Sequence, residues 1–383
     1  MEFIDLPCDI IMYIRNYLND CDTVNLLSTN SGLFNLKHEV KLLDVYEYDK
    51  VKNSPFYNNI KFIKYKATNL GVPEKITHLT FENNFNEPIE NKIDDNISKN
   101  LISLDLGCNF NHPINEFISK CVNLKDLRVG CWFNQPLDKL PPGITHLTLG
   151  NSYICSLKNV LPNSLTHITF GDNFNESLEN IIPPNIKALK FGFSFNQPIT
   201  GVIPNGITHL FFDWMFDQQI TGNIPSSVIH LDTGRSTDTK NLPSSLKYLG
   251  ITCNSNFQTS DIPQSIKHLD LRLYDSEIHG PIPDFITHLS LDYKFKLNPN
   301  SISTSVKTLT FKEKATGNIK NMIPDNITHL IIEKVNTSAI PKEEEIPLLK
   351  DMLTKYIIYI KLPYDQYKEN EHLFRKDIKF DFF

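Results

Sequence analysis

Histidine is the residue whose placement in this chain looks least accidental. Eight of the twelve histidines, His78, His146, His167, His209, His230, His268, His288 and His329, stand directly before a Leu or Ile in the trio "THL" or a near variant of it. Imidazole titrates near neutral pH and ligates transition metals, so such a set could move protons or hold zinc. If each trio is a strand in a stack, however, the eight rings fall in one line. A tetrahedral metal site needs ligands converging from several directions, which one column of a parallel sheet does not supply. The column therefore reads as a solvated, stacked His-Thr ladder, and no metal or cofactor is expected.

Other chemistry is scarcer still. The chain contains no P-loop, no G-x-G-x-x-G, no H-E-x-x-H and no G-x-S-x-G. Gly107, Gly130, Gly150 and Gly192 mark strand ends rather than phosphate cradles, and the acidic residues are scattered over the turns. No cluster of titratable groups in one hollow is visible, so an enzyme is not expected. A net charge of -6 is small and of the wrong sign to attract phosphate backbones, which argues against nucleic acid. Seven cysteines, Cys8, Cys21, Cys108, Cys121, Cys131, Cys155 and Cys253, form no C-x-x-C pair, are odd in number, and read as sharing no place in the repeat. That pattern suits a reducing compartment. The amino terminus "MEFIDLPCDI" has no basic stretch followed by an apolar one, and no apolar run approaches a membrane span. The expectation is a cytoplasmic protein with no membrane partner.

What must position the histidines is a repeat. With the Leu of "THL" as register mark, copies centre on Leu79, Leu104, Leu127, Leu147, Ile168, Leu189, Leu210, Leu231, Leu249, Leu269, Leu289, Leu309 and Leu330, at steps of 18 to 25 residues. Fainter copies, "IKFIKY" from Ile60 and "VKLLDV" from Val40, extend the series backward. A period in the twenties is the mark of a solenoid, which escapes the size limit of a single core because it grows in one dimension. Ile76, Leu79, Phe81 and Asn84 fall at positions 1, 4, 6 and 9 of the unit, the L-x-x-L-x-L-x-x-N pattern of a leucine-rich repeat. Positions 4 and 6 share one face of a short strand and point inward, while 3, 5 and 7 point out. One such strand cannot bury its own apolar face, so thirteen to fifteen rungs must stack as a curved parallel β-sheet.

The rest of each unit carries a Phe six residues past the mark, as in Phe85-Asn86-Glu87-Pro88-Ile89 and Phe195-Asn196-Gln197-Pro198-Ile199. Stacked, these rings predict an internal aromatic ladder, with Asn side chains serving backbone groups at the bend. An apolar-proline step such as Leu140-Pro141 or Ile203-Pro204 follows, and predicts an extended or single-turn back to the rung rather than a helix. The expected fold is thus a repeat solenoid, leucine-rich-repeat-like, with a parallel β-sheet of short strands. From about Lys41 to Pro341, "THLTFG" and "FNQPI" followed by "IP" resemble the FNIP repeat, a leucine-rich-repeat relative abundant in social amoebae and in giant viruses of amoebae. Thr237, Ser255 and Ala315 depart from it where Phe is expected.

The first residues do not repeat. Leu6, Ile10, Ile14 and Leu18, with Ile11 and Tyr17 beside them, form a helical stripe opened by Pro7, and Asp20 and Asp22 make a plausible cap for a second helix through Val24, Leu26 and Leu27. Leu6-Pro7-x-x-Ile10-x-x-x-Ile14-x-x-Tyr17-Leu18 resembles the F-box. That resemblance implies docking on a Skp-family linker, and through it on a cullin ligase core, with Leu6, Pro7, Ile10, Ile14 and Leu18 as the linker-docking residues. The plainer reading of the same hairpin is a cap on the first rung. After Pro341, Ile346, Leu348, Leu349, Met352 and Leu353 predict a short helix, and "FRKDIKFDFF" an edge strand or a packed tail. The expected domains are residues 1–39, an F-box-like helical segment; 40–341, the repeat solenoid; and 342–383, a C-terminal cap. The resemblance implies a substrate-recruiting adaptor of a cullin-type ubiquitin ligase, acting in the host cytoplasm if viral. Its concave surface would meet an unknown target protein through His146, His167, His209, His230, Arg235, Lys240, His268 and His288. The alternative is a repeat-based interaction or structural protein with no ligase connection.

Overall fold

A computed structural model describes residues 8–29, 31–138, 140–236, 239, 241–253, 258–273, 280–291, 301–312, 323–332, 359–362 and 379–382. By their internal contacts the residues form two compact units, Met1–Leu165 and Thr166–Phe383. Each is a stack of short parallel strands in the leucine-rich-repeat manner.

The first unit opens with helices α1 (Cys8–Arg15), α2 (Asp20–Ser28) and α3 (Ser31–Phe34). The cap of α2 is Asn19, one residue before the Asp20 expected from sequence; its side chain accepts from the Asp22 amide at 2.8 Å. Strands β1 (Leu42–Glu47) and β2 (Ile60–Ala67), separated by helix α4 (Tyr48–Val51), correspond to the two faint copies. They are followed by β3 (His78–Phe81), β4 (Ser103–Asp105), β5 (Asp126–Arg128) and β6 (His146–Thr148). Every neighbouring pair is parallel and in register from β2 onward, Leu79 on Leu104, Leu104 on Leu127, Leu127 on Leu147.

The backs of two rungs correct the expectation of helix-free returns. Helices α5 (Asp95–Asn100) and α6 (Asn115–Lys120) lie in the rungs that follow Leu79 and Leu104. Those rungs are 25 and 23 residues long and lack the apolar-proline step, so both the spare length and the amide donors a helix needs are present. Shorter, proline-bearing rungs return by turns, as expected.

The second unit carries β7 (His167–Thr169), β8 (Ala188–Lys190), β9 (His209–Phe212), β10 (His230–Thr233), β11 (Tyr248–Cys253), β12 (His268–Leu273), β13 (His288–Leu291), β14 (Thr308–Phe311), β15 (His329–Ile332), β16 (Tyr359–Leu362) and β17 (Lys379–Phe382). All consecutive pairs are parallel. The last two strands take the sheet beyond the repeats, and β17 answers the question left by "IKFDFF" in favour of a strand. Thr237, Ser255, Ala315 and the helix expected over Ile346 to Leu353 lie outside the described residues.

Burial follows the two-residue alternation. Leu79 and Phe81 are buried whereas Thr80 between them is exposed, and Leu189 and Phe191 repeat this around Lys190. The expected aromatic ladder is present in each unit. In the first, Phe85, Phe110, Phe133 and Tyr153 stack at 6.0, 6.3 and 6.2 Å with rings within 10° of parallel. In the second, Phe174, Phe195 and Phe216 stack at 6.2 and 6.0 Å, and a parallel ladder of Phe170, Phe191 and Phe212 at position 6 runs beside it at 5.0 and 5.3 Å. Tyr153 stands where the repeat asks for Phe, fully buried with its hydroxyl unpartnered, and burial pushes that phenol well above its usual range.

The Asn beside each ladder Phe does the work proposed for it. Asn86 accepts the Asn111 amide at 3.0 Å, Asn111 accepts the Asn134 amide at 3.0 Å, and Asn134 accepts the Ile154 amide at 3.1 Å. Asn175 and Asn196 do the same for Asn196 and Asp217. The turn after the ladder requires a left-handed residue, met by Asn91, Asn159, Asn180, Gly201 and Gly222, all with φ between 58° and 76°. Cys108 and Cys131 correct the view that the cysteines share no place. Each stands four residues past its mark, Leu104 and Leu127, on neighbouring rungs.

The ring ladder should outweigh the amide ladder. Phe195→Ala removes a ring with no exposed surface that is held between Phe174 and Phe216, and should cost about 3–5 kcal/mol. Asn196→Ala, at an exposed bend, should cost about 1 kcal/mol. Urea denaturation of both variants followed by circular dichroism measures the ranking, and equal losses would contradict it.

Candidate functional site

Three surfaces are candidates, and two of them hold residues singled out by sequence. On the amino-terminal hairpin, Ile11 is buried with Leu27 and Leu33, while Ile10 is 46% exposed, Tyr13 60% and Tyr17 74%. Ile14 and Leu18 are half-buried. Ile10, Tyr13 and Ile14 lie on α1, and Tyr17 and Leu18 in the turn that follows it, where the Tyr13–Tyr17 contact continues the exposed apolar-aromatic surface. Tyr13 was missed by the sequence argument. Its ring meets Tyr17 edge-on at 5.4 Å and the two hydroxyls lie 2.8 Å apart. The hairpin is also tied to the first rung: Arg15 donates to the Lys41 carbonyl, and Asp20 accepts from the Asp44 amide at 2.7 Å and the Tyr46 hydroxyl at 3.2 Å. Leu6 and Pro7 lie outside the described residues.

The second surface is the histidine column. In six of its eight rungs the preceding Thr hydroxyl lies 2.8–2.9 Å from the histidine Nδ1, from Thr77-His78 through Thr328-His329. His268 and His288 stack at 3.9 Å with rings 5° from parallel, and His230 stacks on Tyr248 at 3.7 Å. Histidine rings stack where neighbouring rungs both carry one, His209 on His230 and His268 on His288, and Ala188, Tyr248 and Thr308 interrupt the column between them. Among the described residues no group of three or more His, Cys, Asp and Glu side chains is placed to hold a metal. Desolvation lowers the pKa of His78, His268 and His288, and that of His230 falls to about 4 through burial, the neighbouring His209 and the cations Lys312 and Arg272. His230 is therefore neutral at pH 7. Arg235 is exposed at the turn after β10, away from this column, with its guanidinium 5.7 Å above the Trp214 ring. Lys240 lies outside the described residues.

The third surface was not foreseen, and it corrects the statement that no titratable cluster exists. On the outward face of the second unit, Arg272 Nη2 donates to Asp232 at 2.7 Å and to Asp270 at 3.0 Å. Lys312 reaches the same Asp270 oxygen at 2.6 Å, and the Tyr248 hydroxyl donates to it at 2.8 Å. Asp270 has no exposed surface and Asp232 only 7%. Two carboxylates and two cations cancel, so the cluster is neutral. Burial alone raises the Asp270 carboxyl, but Arg272, Lys312 and the Tyr248 hydroxyl together hold it below the usual carboxylate range. Asp232 has only the shared guanidinium, and burial pushes it up. Gly250 lies between the two aspartates in register, and a β-carbon there would collide with Asp232 Oδ1. The available signal was in the outward columns: Asp232, Gly250 and Asp270 fall at position 5, where Thr80, Thr148, Thr169 and Thr310 stand in other rungs, and Arg272 falls at position 7, where Gly107, Gly130, Gly150 and Gly192 stand.

Parallel rungs with a leucine-rich pattern and an adapted surface define a repeat solenoid of the interaction-module class. Within that class the repeats of residues 133–236 match the FNIP repeat: the model of the FNIP Repeat matches residues 133–173, 156–194, 174–213 and 195–236. Three relatives from Acanthamoeba polyphaga mimivirus show the company it keeps. One, provisionally named an FNIP repeat-containing protein, is 27% identical over 169 residues, 40% of each chain. Two provisionally named F-box proteins are 35% identical over 83 residues and 29% over 93, covering 22% and 24% of this chain. The chain spans 31% of the first F-box relative and 46% of the second, under half of either. A solved circular leucine-rich-repeat protein aligns over 85% of this chain and 73% of its own at 22% identity, with a TM-score of 0.27. Among the described residues no helix is long and apolar enough to cross a membrane.

Truncating the shared cation of the cluster strands the buried Asp232 carboxylate and leaves Asp270 with Lys312 and Tyr248 alone. Arg272→Met should cost about 3–5 kcal/mol, and Asp232→Asn with Asp270→Asn in that background should recover part of it. Denaturation midpoints of the parent and the two variants decide whether the charges are coupled.

Proposed function

We propose that this chain is an adaptor: the amino-terminal hairpin docks a Skp-family linker of a cullin-type ubiquitin ligase, and the outward face of the repeats holds a target protein. The observation that carries the first half is the two-sidedness of α1. Ile11 faces the interior at 1% exposure, while Ile10 next to it is 46% exposed on the surface that Tyr13, Ile14, Tyr17 and Leu18 continue. A hairpin that only capped the stack would favour polar side chains there, because exposed aromatic and aliphatic surface of this kind marks contact sites. Relatives carrying F-box names support the same reading. Leu6 and Pro7 complete the linker-docking set through the F-box resemblance.

Target recognition falls to the outward face where the repeat is least uniform. His146, His167, His209, His268 and His288 supply a regular background of imidazoles, as His230 does beside the charged cluster. Trp214 and Arg235 project at the strand ends, with exposed Met215 next in sequence and exposed Phe193 on the neighbouring rung, its carbonyl accepting the Met215 amide, so a target with aromatic and acidic side chains suits that edge. Chemistry then takes place on the partner, consistent with an interaction module. A repeat protein with no ligase connection is the second reading, and it assigns the hairpin a capping role alone.

The two separate in capture experiments. Ile10→Asp with Ile14→Asp should leave the repeats folded and abolish capture of a Skp-family linker, whereas equal capture by variant and parent would end the adaptor reading. For the target side, Arg235→Glu with Lys240→Glu should reduce recovery of co-purifying proteins at least tenfold while circular dichroism is unchanged, a loss of about 1.4 kcal/mol or more in binding. Unaltered recovery would remove that turn from the target surface.

A further inference from the structure

Neighbouring rungs bring two thiols side by side, and we propose that Cys108 and Cys131 are a redox-modification site that closes to a cross-rung disulfide under a peroxide-class oxidant. The geometry begins with the register. Leu104 pairs with Leu127 and Asp105 with Arg128, and each cysteine follows four residues past its leucine. The pairing persists to the cysteines themselves, because the Trp132 amide donates to the Cys108 carbonyl at 3.0 Å. Just before them the backbones are at closest approach, since a β-carbon on Gly130 would collide with the Gly107 carbonyl oxygen. In-register strands lie about 4.8 Å apart. Disulfides span Cα separations of about 4.4–6.8 Å.

The two side chains are close enough for Cys108 to push the Cys131 thiol up. Cys131 is exposed and Cys108 partly so, which admits a small oxidant. The other described thiols are placed differently. Cys21 sits on the hairpin, Cys121 is buried with its thiol pushed up to about 12, and Cys155 is committed to the Asn134 side-chain oxygen at 3.4 Å.

The neighbouring Cys108 and desolvation hold Cys131 in its thiol form, which assigns the first attack to Cys108. Its thiolate attacks a peroxide oxygen, the O–O bond breaks, and hydroxide leaves to give a sulfenic acid. Cys131 then attacks that sulfur, its proton departs, and the sulfenic oxygen leaves as water. Two thiols and one hydrogen peroxide become one disulfide and two waters, with two electrons passing from the sulfurs to the peroxide. A dithiol reductant reverses the step. The inference rests on rung register and is independent of the ligase reading.

The test treats the full chain with hydrogen peroxide, blocks remaining thiols with an alkylating agent, and maps peptides under non-reducing conditions. The Cys108–Cys131 link should dominate and vanish on adding a dithiol. Cys108→Ser and Cys131→Ser should each abolish it, and Cys131→Ser should accumulate a trappable sulfenic acid on Cys108. Links scattered evenly among Cys21, Cys121, Cys155 and this pair would overturn the proposal. So would oxidation of both cysteines to sulfinic acid with no link between them.

Discussion

Between neighbouring rungs the backbones approach so closely that several residues have no room for a side chain: a β-carbon on Gly130 would strike the Gly107 carbonyl, one on Gly150 the Gly130 carbonyl, and one on Gly192 the Gly171 carbonyl. That contact is the constraint from which the rest descends. Strand pairing at this spacing satisfies amides and carbonyls rung by rung, and it forces each side chain to meet the side chain at its own position in the next copy. A sequence that repeats must therefore be compatible with itself at every position. Aromatic rings meet that demand by stacking, asparagines by bonding the next amide, and leucines by simple burial.

Charge does not meet it, because like carboxylates stacked in a column repel. The outward column of the second unit shows the physical remedy. Asp232 and Asp270 are separated by a rung whose equivalent residue is Gly250, and the missing side chain leaves space into which the Asp232 carboxylate lies. Arg272 then reaches back across two rungs to bridge both aspartates, and Lys312 approaches Asp270 from two rungs further on. Carboxylate, gap and cation are one arrangement, and none of the three makes sense in a column alone.

This explains what could be read from sequence and what could not. Period, register mark, inward Leu79 and Phe81, the ring ladder and the asparagine ladder all follow from self-compatibility of a repeated unit, which the sequence displays thirteen times. Departures from the repeat were harder. Tyr153 entering the Phe ladder, helices α5 and α6 in the proline-free rungs, and the Asp232–Arg272–Asp270 bridge each depend on how unlike residues in different rungs meet. Their positions were countable in the sequence; their contacts were not. Cys108 and Cys131 lie between the cases, since their equivalence is plain once each is counted from its own leucine rather than by spacing from the next cysteine.

The hairpin illustrates how one element can serve two ends without compromise. Capping needs only a single stripe, and Ile11 with Leu27 and Leu33 supplies it, assisted by the Asp20 contacts to the Asp44 amide and the Tyr46 hydroxyl. An eight-residue helix turns through more than two full turns, so the opposite stripe is left free of that duty. Evolution commonly fills such a stripe with polar residues, which cost nothing in water. Here it carries Ile10 and Tyr13 at 46% and 60% exposure, and Tyr17 in the turn beyond the helix is 74% exposed with its hydroxyl against that of Tyr13. Neither packing of the first rung nor local helix stability calls for those side chains, since both aromatic and β-branched residues are indifferent helix formers. Capping accounts for the inner stripe alone, and the outer one is the surface on which the proposed docking rests.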